Sequence, residues 1–467
     1  MSAIKLRDWT LSAGTEPLVR VGIVTAGDGF SGIRLRLTAE RRRLYVLGDS
    51  DVHQSTTESE LPPYAELEAR GAGGRVVLCV NGIARTPAPG LRLLPPVDAR
   101  QVLENGVIVA DVVAGRGFHW EKRIDVTLSG VIEILPSGDD SILLINELPL
   151  EDYLAGVISA EMSGACPVEM LKAQCVAARS WLLAFGEPKH AHEPFDRCND
   201  DCCQRYQGLG GLDDAARNAV AETRGLALLD VAGNVLDANY AKCCGGISET
   251  PESVWGASKP GLRAVVDAPS DAPEQQFFPI TEANLDEYLD GPWLCDARCY
   301  CSPNCVTVAA LKRYLGRVDE LDDYFRWTVR YSRAELESVL AERLPELSEM
   351  RELLGLRVVG RGVSGRAERL EIRWCSNEDA EVMTPVEREY CIRQVLHRSF
   401  LYSSAFSIRE ERDLSGQLKS ITLRGAGWGH GVGLCQIGAL GMALAGSDFK
   451  TICQHYYPDA HMGRVYP

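Results

Sequence analysis

Residues Ile145 to Phe185 read INELPLEDYLAGVISAEMSGACPVEMLKAQCVAARSWLLAF, and this stretch decides the fold. Apolar residues recur at helical spacing in two blocks with a short polar turn between them, which predicts two helices. Pro149 and Pro167 each stand where a first helical position would be, where the missing N–H of proline costs little. We therefore predict a helical hairpin, with strands before it and a cysteine-rich loop after it.

Glu161 is the candidate catalytic residue of this hairpin. It falls three and four residues after Ile158 and Val157, on the apolar stripe that also contains Leu150 and Leu154. Partial desolvation raises the pKa of a carboxyl group, which is the condition that a general acid needs near neutral pH. The alternative is that Glu161 only caps the helix or pairs within the hairpin.

The hairpin resembles the signature of the SpoIID/LytB family. The matching residues are Leu148–Leu154, Ser159–Met162 and Pro167–Arg179, and a strand of the family's PxVRVGI type stands at Pro17–Ile23. SpoIID proteins are lytic transglycosylases that cut peptidoglycan glycan strands lacking stem peptides, whereas LytB-type members enhance an amidase. The resemblance implies that Glu161 is catalytic and that Lys172, Gln174 and Arg179 lie near the glycan.

Composition restricts the class of protein. A chain of 467 residues with 45% hydrophobic and 24% charged residues predicts two or three globular domains. The net charge of −16 argues against general nucleic-acid binding. No apolar run reaches transmembrane length, and the first residues contain no apolar signal segment. The family resemblance implies a cell-envelope location, so the localisation stays open.

A loop after the hairpin, Lys189–Gly208, contains candidate zinc ligands. His190, His192, Cys198, Cys202 and Cys203 lie within fourteen residues, and such thiolates and imidazoles suit tetrahedral zinc. The alternative is a loop with one or two disulfides. The resemblance implies a His/Cys zinc site here, with Cys202 standing where the family has a histidine. Sequence leaves the choice between the two histidines open, and the offset to Cys198 favours His192.

Two further blocks match the family downstream. In the first block, Ser248 and Glu249 match, but Cys243 and Cys244 replace two residues that carry hydroxyl groups in the family. The second block, Gly427–Ala439, resembles the GxGHGVGxSQ motif and has Cys435 in place of its serine. The resemblance implies that Ser248 and Glu249 line a glycan cleft.

His430 lies in the Gly427–Ala439 block. It is a candidate active-site residue, and the alternative is a buried structural histidine.

An insertion between these blocks carries four more cysteines, Cys295, Cys299, Cys301 and Cys305. Their dense C-x3-C-x-C-x3-C spacing makes them candidates for a second zinc ion or an iron–sulfur cluster. Alternatively, Cys243 and Cys244 share ligands or disulfides with this group.

The sequence as a whole predicts an α+β, SpoIID-like protein with a β-rich N-terminal part packed with a helical catalytic part around a cleft. Its expected segments are a β-rich region (1–140), a catalytic core with the zinc loop (141–265), a cysteine-rich insertion with an α/β segment (266–419) and a C-terminal GHGVG segment (420–467).

The expected function is that of a peptidoglycan lytic transglycosylase forming 1,6-anhydro products. Its partners would be glycan strands and, for the alternative of a non-catalytic amidase enhancer, a cell-wall amidase. A metal-dependent hydrolase is less well supported, because ligand-saturated thiolate sites leave no open position for water.

Overall fold

The computed structural model describes residues 15–39, 41–48, 55–95, 106–118, 121–184, 189–315 and 324–467. Strands and helices are both abundant in these residues, so the predicted α+β class is confirmed. Among the described residues, no helix has the length and apolar character needed to cross a membrane.

The N-terminal part of the described chain is β-rich, as its alternating apolar and polar residues predict. Its strands are β1 (Leu18–Val24), β2 (Gly32–Leu37), β3 (Arg42–Leu47), β4 (Ser55–Leu61), β5 (Glu66–Ala72), β6 (Arg75–Val80), β7 (Ile83–Ala84), β8 (Leu91–Leu94), β9 (Val107–Ala114), β10 (Lys122–Leu128), β11 (Val131–Pro136) and β12 (Ile142–Pro149).

Helices and short strands alternate in the remainder. In chain order they are α1 (Leu150–Glu161), α2 (Val168–Leu183), β13 (Arg197–Cys198), α3 (Asp214–Glu222), β14 (Leu226–Leu229), β15 (Tyr240–Ala241), α4 (Pro251–Trp255), α5 (Leu285–Asp290), α6 (Val308–Tyr314), β16 (Arg326–Ser332), α7 (Arg333–Arg343), β17 (Met350–Arg361), β18 (Ala367–Ser376), β19 (Glu381–Glu387), α8 (Glu389–Val395), β20 (Phe406–Arg412), β21 (Leu418–Ala426), β22 (Leu434–Cys435), α9 (Gln436–Leu444), α10 (Phe449–Tyr456) and β23 (His461–Arg464).

The predicted hairpin is present as α1 and α2. We predicted Pro149 and Pro167 at the first position of each helix. They occupy the N-cap positions instead, so each helix begins one residue later. Glu161 is the last residue of α1, because Met162 already has an extended backbone (φ −140°, ψ 151°). Phe185, the last residue of the Ile145–Phe185 stretch, lies outside the described residues.

The described chain divides into two compact units. The first contains the described residues of Met1–Gly164, Glu187–Gly225 and Arg464–Pro467, and the second contains those of Ala165–Gly186 and Leu226–Gly463. This division groups α1 with the N-terminal strands and α2 with the C-terminal helices.

Two antiparallel sheets dominate the first unit. One has the strand order β13-β1-β12-β11-β8-β3-β4, and the other has the order β10-β9-β2-β5-β6-β7. β12 leads directly into α1, and its residues from Ile142 to Leu148 are all buried. β13 lies at the edge of the first sheet and pairs with β1 in parallel. The sheet therefore connects the start of α1 to the cysteine-rich loop.

The second unit is built on two three-stranded sheets, β16-β21-β20 and β17-β18-β19, which share a hydrophobic core with α7 and α8. Its short parallel pair, β15 and β22, aligns Tyr240 with Leu434 and Ala241 with Cys435. This pair brings two of the sequence blocks together, since β15 precedes Cys243 and β22 follows the GHGVG segment.

Candidate functional site

The carboxylate of Glu161 is held at the C-terminal end of α1. The backbone N–H of Arg205 donates a hydrogen bond to Glu161 Oε1 at 3.3 Å, and the Glu161 side chain is partly exposed. The Arg205 guanidinium pairs with Asp201 through two contacts of 3.0 and 3.1 Å. Burial raises the pKa of Asp201, while Arg205 acts in the opposite direction. The loop that follows Cys203 thus positions Glu161.

The other end of α1 is anchored by the end of the described chain. Glu151 Oε1 accepts a 2.6 Å hydrogen bond from the Tyr466 hydroxyl and a 3.1 Å bond from the backbone N–H of Gly225. Glu151 is buried, so these bonds satisfy a carboxylate that has little access to water. α1 is therefore fixed at both ends by side-chain carboxylates.

Four residues of the loop before Arg205 form a candidate metal centre. His190, Cys198, Cys202 and Cys203 each place one ligand atom within 4.8 Å of the others, and His190 Nε2 lies 3.6 Å from Cys202 Sγ. His192 is exposed and is not a member of this group, so the preference for His192 was wrong. The chain turns between residues 190 and 198, and sequence offset alone did not reveal which imidazole faces the thiols.

The metal loop is fixed on the first sheet. β13 pairs Cys198 with Gly22 of β1, and Asp200 accepts backbone hydrogen bonds from Gly115 (3.0 Å) and Arg116 (2.8 Å). A Cβ atom added to Gly22 would lie 2.8 Å from the ring of Phe195, so glycine is needed there for the close approach of the loop. β1 therefore supports the loop that carries the candidate metal centre.

The metal loop also packs directly on α1. The Tyr206 ring lies 5.1 Å from the Tyr153 ring of α1 at an interplanar angle of 32°, and the Tyr206 hydroxyl donates to Asn146 of β12 at 3.0 Å. A Cβ atom at Gly156 would lie 2.5 Å from the Tyr206 ring, so the helix surface is open only because residue 156 is glycine. Glu161 and the metal loop are thus parts of one packed assembly within the first unit.

The three predicted glycan-binding residues of α2 belong to the second unit. Lys172 is partly exposed and pairs with Glu169 at 3.0 Å. Gln174 is fully buried and accepts a 3.4 Å hydrogen bond from Gln436, and Arg179 is fully buried and donates to the carbonyl of Leu226 at 3.0 Å. Burial argues that Gln174 and Arg179 support the fold, whereas Lys172 has surface to offer a ligand.

Ser248 and Glu249 are fully buried as well. Glu249 accepts hydrogen bonds from the Ser364 hydroxyl at 2.6 Å and from the backbone N–H groups of Thr250 and Val363 at 2.8 and 3.2 Å. Burial raises the pKa of Glu249, and these bonds oppose that effect. Its backbone N–H donates a hydrogen bond to the Gly431 carbonyl. Buried Glu249 therefore supports the GHGVG segment from the interior and is not placed to contact a sugar.

His430 is partly exposed in that segment. Its Nδ1 accepts a hydrogen bond from the backbone N–H of Val432 at 3.0 Å, which leaves the proton of the neutral ring on Nε2. The Trp255 ring lies 5.1 Å from it, and Lys259 Nζ lies 4.2 Å from the centre of that indole. His430 and Trp255 thus form a partly exposed aromatic pair that the sequence analysis did not predict.

The predicted second metal site is not assembled as its spacing suggested. Cys295 and Cys305 are exposed, whereas Cys299 and Cys301 are buried, and the four do not form a ligand group among the described residues. Cys295 lies in a 3-10 helix (Pro292–Asp296), whereas Cys301 and Cys305 lie in the turns that follow, and the four thiols differ in burial.

Only Cys301 of these four belongs to a group that could hold a metal. Its partners are Cys244, Asp267 and Cys435.

Several residues of these sites carried no clear sequence signal. Asp267 stands in an ordinary DAP sequence, and nothing in the sequence distinguishes Arg205 from the other arginines of the chain. Arg366 is buried and donates to the carbonyls of Cys244 and Gly429, yet it lies far from both in sequence. Contacts between distant segments placed these residues, and only Trp255 could have been found, because it adjoins a matched block.

Two family models match parts of the chain. The model of the stage II sporulation protein family SpoIID matches residues 138–229, which contain α1, the metal loop and α3. A domain of unknown function, DUF8618, matches residues 249–433.

Three relatives match larger parts of the chain. An uncharacterized protein of Brachyspira hyodysenteriae is 29% identical over 365 residues, which are 76% of this chain and 80% of that protein. The amidase enhancer of Bacillus subtilis is 25% identical over 65% of this chain but only 39% of its own length. Stage II sporulation protein D of Bacillus amyloliquefaciens is 23% identical over 67% of this chain and 74% of its own. The family match over residues 138–229 and these similarities support the assignment of the chain to the SpoIID/LytB family.

Proposed function

We propose that the protein is a peptidoglycan lytic transglycosylase in which Glu161 acts first as an acid and then as a base. The observation that carries this proposal is the carboxylate of Glu161, which is partly exposed at the end of α1 and is oriented by the Arg205 N–H. A single oriented carboxyl group with access to solvent is what such a reaction requires. The proposed substrate is a strand of N-acetylmuramic acid and N-acetylglucosamine that lacks stem peptides.

The reaction needs one carboxyl group in two protonation states. Protonated Glu161 gives its proton to the glycosidic oxygen, and the bond to the anomeric carbon breaks. The resulting carboxylate takes the proton of the C6 hydroxyl as that oxygen attacks the anomeric carbon and closes the 1,6-anhydro ring. No water is activated, so the second carboxylate of the glycoside hydrolases is not needed.

Zinc fits the donor set of the metal loop. His190, Cys198, Cys202 and Cys203 would hold it, and one imidazole with three thiolates fills a tetrahedral structural site. When bound, the ion supplies stability to the loop and no chemistry on the substrate. Arg205 is only two residues after Cys203. An ion bound by Cys203 would therefore also fix the backbone N–H of Arg205, which orients Glu161.

In the second unit, the proposed glycan contacts are Lys172 and the pair of His430 and Trp255. These three side chains are partly exposed, and aromatic rings offer an apolar face with polar edges on which a sugar can stack. Gln174, Arg179, Ser248 and Glu249 are proposed to support these contacts from the interior.

A second candidate function is that of a non-catalytic amidase enhancer. The similarity to a protein of that name supports it, and so does the replacement of two family hydroxyl residues by Cys243 and Cys244. In this alternative the protein binds glycan, and a separate cell-wall amidase performs the chemistry.

The test is incubation of the purified protein with stem-peptide-free glycan strands, with mass spectrometry of the products. We expect 1,6-anhydro sugars from the wild type. Glu161→Gln keeps an oxygen for the Arg205 N–H but cannot transfer a proton, so its rate should fall by roughly 10²–10⁴-fold.

Glu222→Gln is the matched control. Glu222 is also the last residue of a helix in the first unit, and the substitution removes the same charge. It should retain wild-type activity. Undiminished release of anhydro sugars by Glu161→Gln would overturn the assignment of Glu161. No release by the wild type, together with a higher rate of an added amidase, would instead favour the enhancer.

A further inference from the structure

Three cysteines and one aspartate from distant parts of the second unit meet in its interior. Cys244 follows β15, Asp267 lies in a bend after α4, Cys301 lies in the cysteine-rich insertion, and Cys435 ends β22. Cys244 and Cys435 are 191 residues apart in sequence. We propose that Cys244, Asp267, Cys301 and Cys435 bind a single soft divalent metal ion, with zinc as the preferred occupant.

The spacing of the ligand atoms matches one shared ion. Cys244 Sγ lies 3.7 Å from Cys301 Sγ and 3.4 Å from Asp267 Oδ2, and all four ligand atoms lie within 4.8 Å of one another. A tetrahedral zinc with Zn–S bonds of about 2.3 Å holds its sulfur ligands about 3.8 Å apart. The four protein ligands of an iron–sulfur cluster are divided among two or more iron atoms and do not all stand this close together, so the geometry favours a mononuclear site.

The sulfur atoms are surrounded by hydrogen-bond donors. Cys435 Sγ accepts from the backbone N–H groups of Cys244 at 3.2 Å and Gly438 at 3.3 Å, and Cys244 Sγ accepts from Gly246 N at 3.4 Å. Cys435 is also the N-cap of α9, where the helix dipole favours a negative charge. Backbone donors aimed at sulfur stabilise thiolates, which are the form that binds metals.

The carboxylate of Asp267 is oriented in the same way. The Tyr456 hydroxyl donates to its Oδ1 at 2.6 Å, and the backbone N–H of Cys301 donates to its Oδ2 at 3.1 Å. Partners of this kind fix a metal-ligating carboxylate and tune the site. Its backbone is held as well, because Asp267 N donates to Gly246 and Tyr300 N donates to Asp267.

The four ligand residues are buried, so their ionised forms need a cation beside them. Asp267 and the three thiols are at most 3% exposed. Ionised groups in an apolar interior cost several kcal/mol each unless they are paired or coordinate a metal. One divalent ion would replace the thiol protons and offset two of the four negative charges, and the backbone and tyrosine donors around the group would stabilise the remainder.

Two departures from the family motifs support the same site independently. Cys244 and Cys435 both stand where the family motifs have residues with hydroxyl groups, and the fold brings these two departures together. All four residues of the group lie outside residues 138–229, which the SpoIID model matches, and Cys301 belongs to the cysteine-rich insertion. Exchanges of hydroxyl for thiol at two separate positions that meet a third thiol are what a soft-metal site requires.

The bound ion would join four segments of the second unit. They are the loop after β15, the bend at Asp267, the insertion around Cys301, and the β22–α9 junction that follows the GHGVG segment. A closed site of four protein ligands has no open position for substrate, so its role is structural. The ion would hold the segment of His430 in place without taking part in chemistry.

The test is metal analysis of full-length protein, purified anaerobically without chelator after growth with added zinc. The double variant Cys198→Ser/Cys203→Ser removes the first group, and we expect it to retain about one zinc per chain. Adding Cys435→Ser or Asp267→Asn to that variant should lower the content to near zero. X-ray absorption at the zinc edge of the double variant should show three sulfur neighbours at about 2.3 Å and one oxygen, with no histidine signal.

Two controls keep the ligand assignment falsifiable. Cys453→Ser changes another fully buried cysteine outside the group, and it should leave the metal content unchanged. Cys243 is buried and interacts with the Cys301 and Cys435 thiols, so Cys243→Ser tests the competing ligand set. Loss of metal in Cys243→Ser with retention in Asp267→Asn would overturn the assignment of Asp267.

Wild-type protein provides the measurement that does not depend on the folding of variants. Thiol alkylation with peptide mapping should find Cys244, Cys301 and Cys435 protected until a chelator is added. A wild type that binds no more than one metal per chain, or a disulfide between Cys244 and Cys301, would overturn the proposal.

Discussion

The two candidate metal groups differ in how the chain assembles them. The group of His190, Cys198, Cys202 and Cys203 comes from fourteen consecutive residues and includes an exposed cysteine. The group around Cys301 comes from four segments and is buried at every position. A short loop can close around an ion with local turns alone, whereas the second group exists only after most of its unit has folded.

The largest expected effect that would sharpen this comparison is in the rate of metal loss. A chelator should remove the first ion quickly, because an exposed thiol can exchange without unfolding. The buried ion must wait for a local opening, and an opening cost of about 3–4 kcal/mol slows exchange by about 10²–10³-fold. Release of zinc to a coloured chelator should therefore show two phases.

The variant Cys198→Ser/Cys203→Ser should show the slow phase alone. A single phase in the wild type would contradict the distinction between the two groups.

An intermediate effect, on the free energy of unfolding, is expected where the loop of the first group packs against α1. Gly156→Ala places a methyl group against the Tyr206 ring, so the loop or the ring must shift. We expect a loss of about 1–3 kcal/mol in the free energy of unfolding, the usual cost of overpacking. Chemical denaturation followed by circular dichroism measures it.

Gly211→Ala is the control for this substitution. Its added Cβ would meet nothing within 4 Å, and it should change stability by no more than about 0.5 kcal/mol. Equal stabilities of the two variants would show that the metal loop does not need the surface of α1.

The smallest effect concerns Asp152. Protons compete with metal ions for the ligands of both metal groups, so the two groups can be compared by their pH dependence. The titration of Asp152 must first be separated from that competition. Burial, followed by the charge of Glu16, raises the pKa of Asp152 to about 6. A raised pKa means that the folded state holds the proton more tightly than the unfolded state. The stability from this group is therefore full below about pH 4 and is lost as the pH rises through about 6.

Asp152→Asn should be about 1–2 kcal/mol more stable than the wild type at pH 8, allowing for partial solvent screening, and should lack this part of the pH dependence. Asp214→Asn changes an exposed acid in the first turn of α3 and should keep the wild-type profile. Denaturation series between pH 4 and pH 8 measure both. Parallel profiles for Asp152→Asn and the wild type would contradict the prediction.

Sequence predicted the parts of this protein that short-range patterns control. Alternating residues gave the strands of the first unit, and helical spacing with two prolines gave α1 and α2. Three ligands of the first metal group were predictable because Cys198, Cys202 and Cys203 are close in sequence. The fourth was not, since the turn between His190 and His192 decides which ring faces the thiols.

Long-range contacts limited the rest. Cys295, Cys299, Cys301 and Cys305 have a regular spacing, but the turns between them direct only Cys301 toward Cys244 and Cys435. Asp267 has no sequence signal because its neighbours in the group are supplied by other segments. Burial of Glu249 was equally invisible, since it depends on the loop of Val363 and Ser364.

The anchoring of α1 by Tyr466 has a consequence for the timing of biosynthesis. Glu151 and Tyr466 are 315 residues apart, so the ribosome must add those residues before the Glu151 carboxylate meets this partner. At about 5–20 residues per second, that interval is roughly 15–60 s. Throughout it, the helix that carries Glu161 lacks one of the hydrogen bonds at its start, and this bond forms only after Tyr466 has been synthesised.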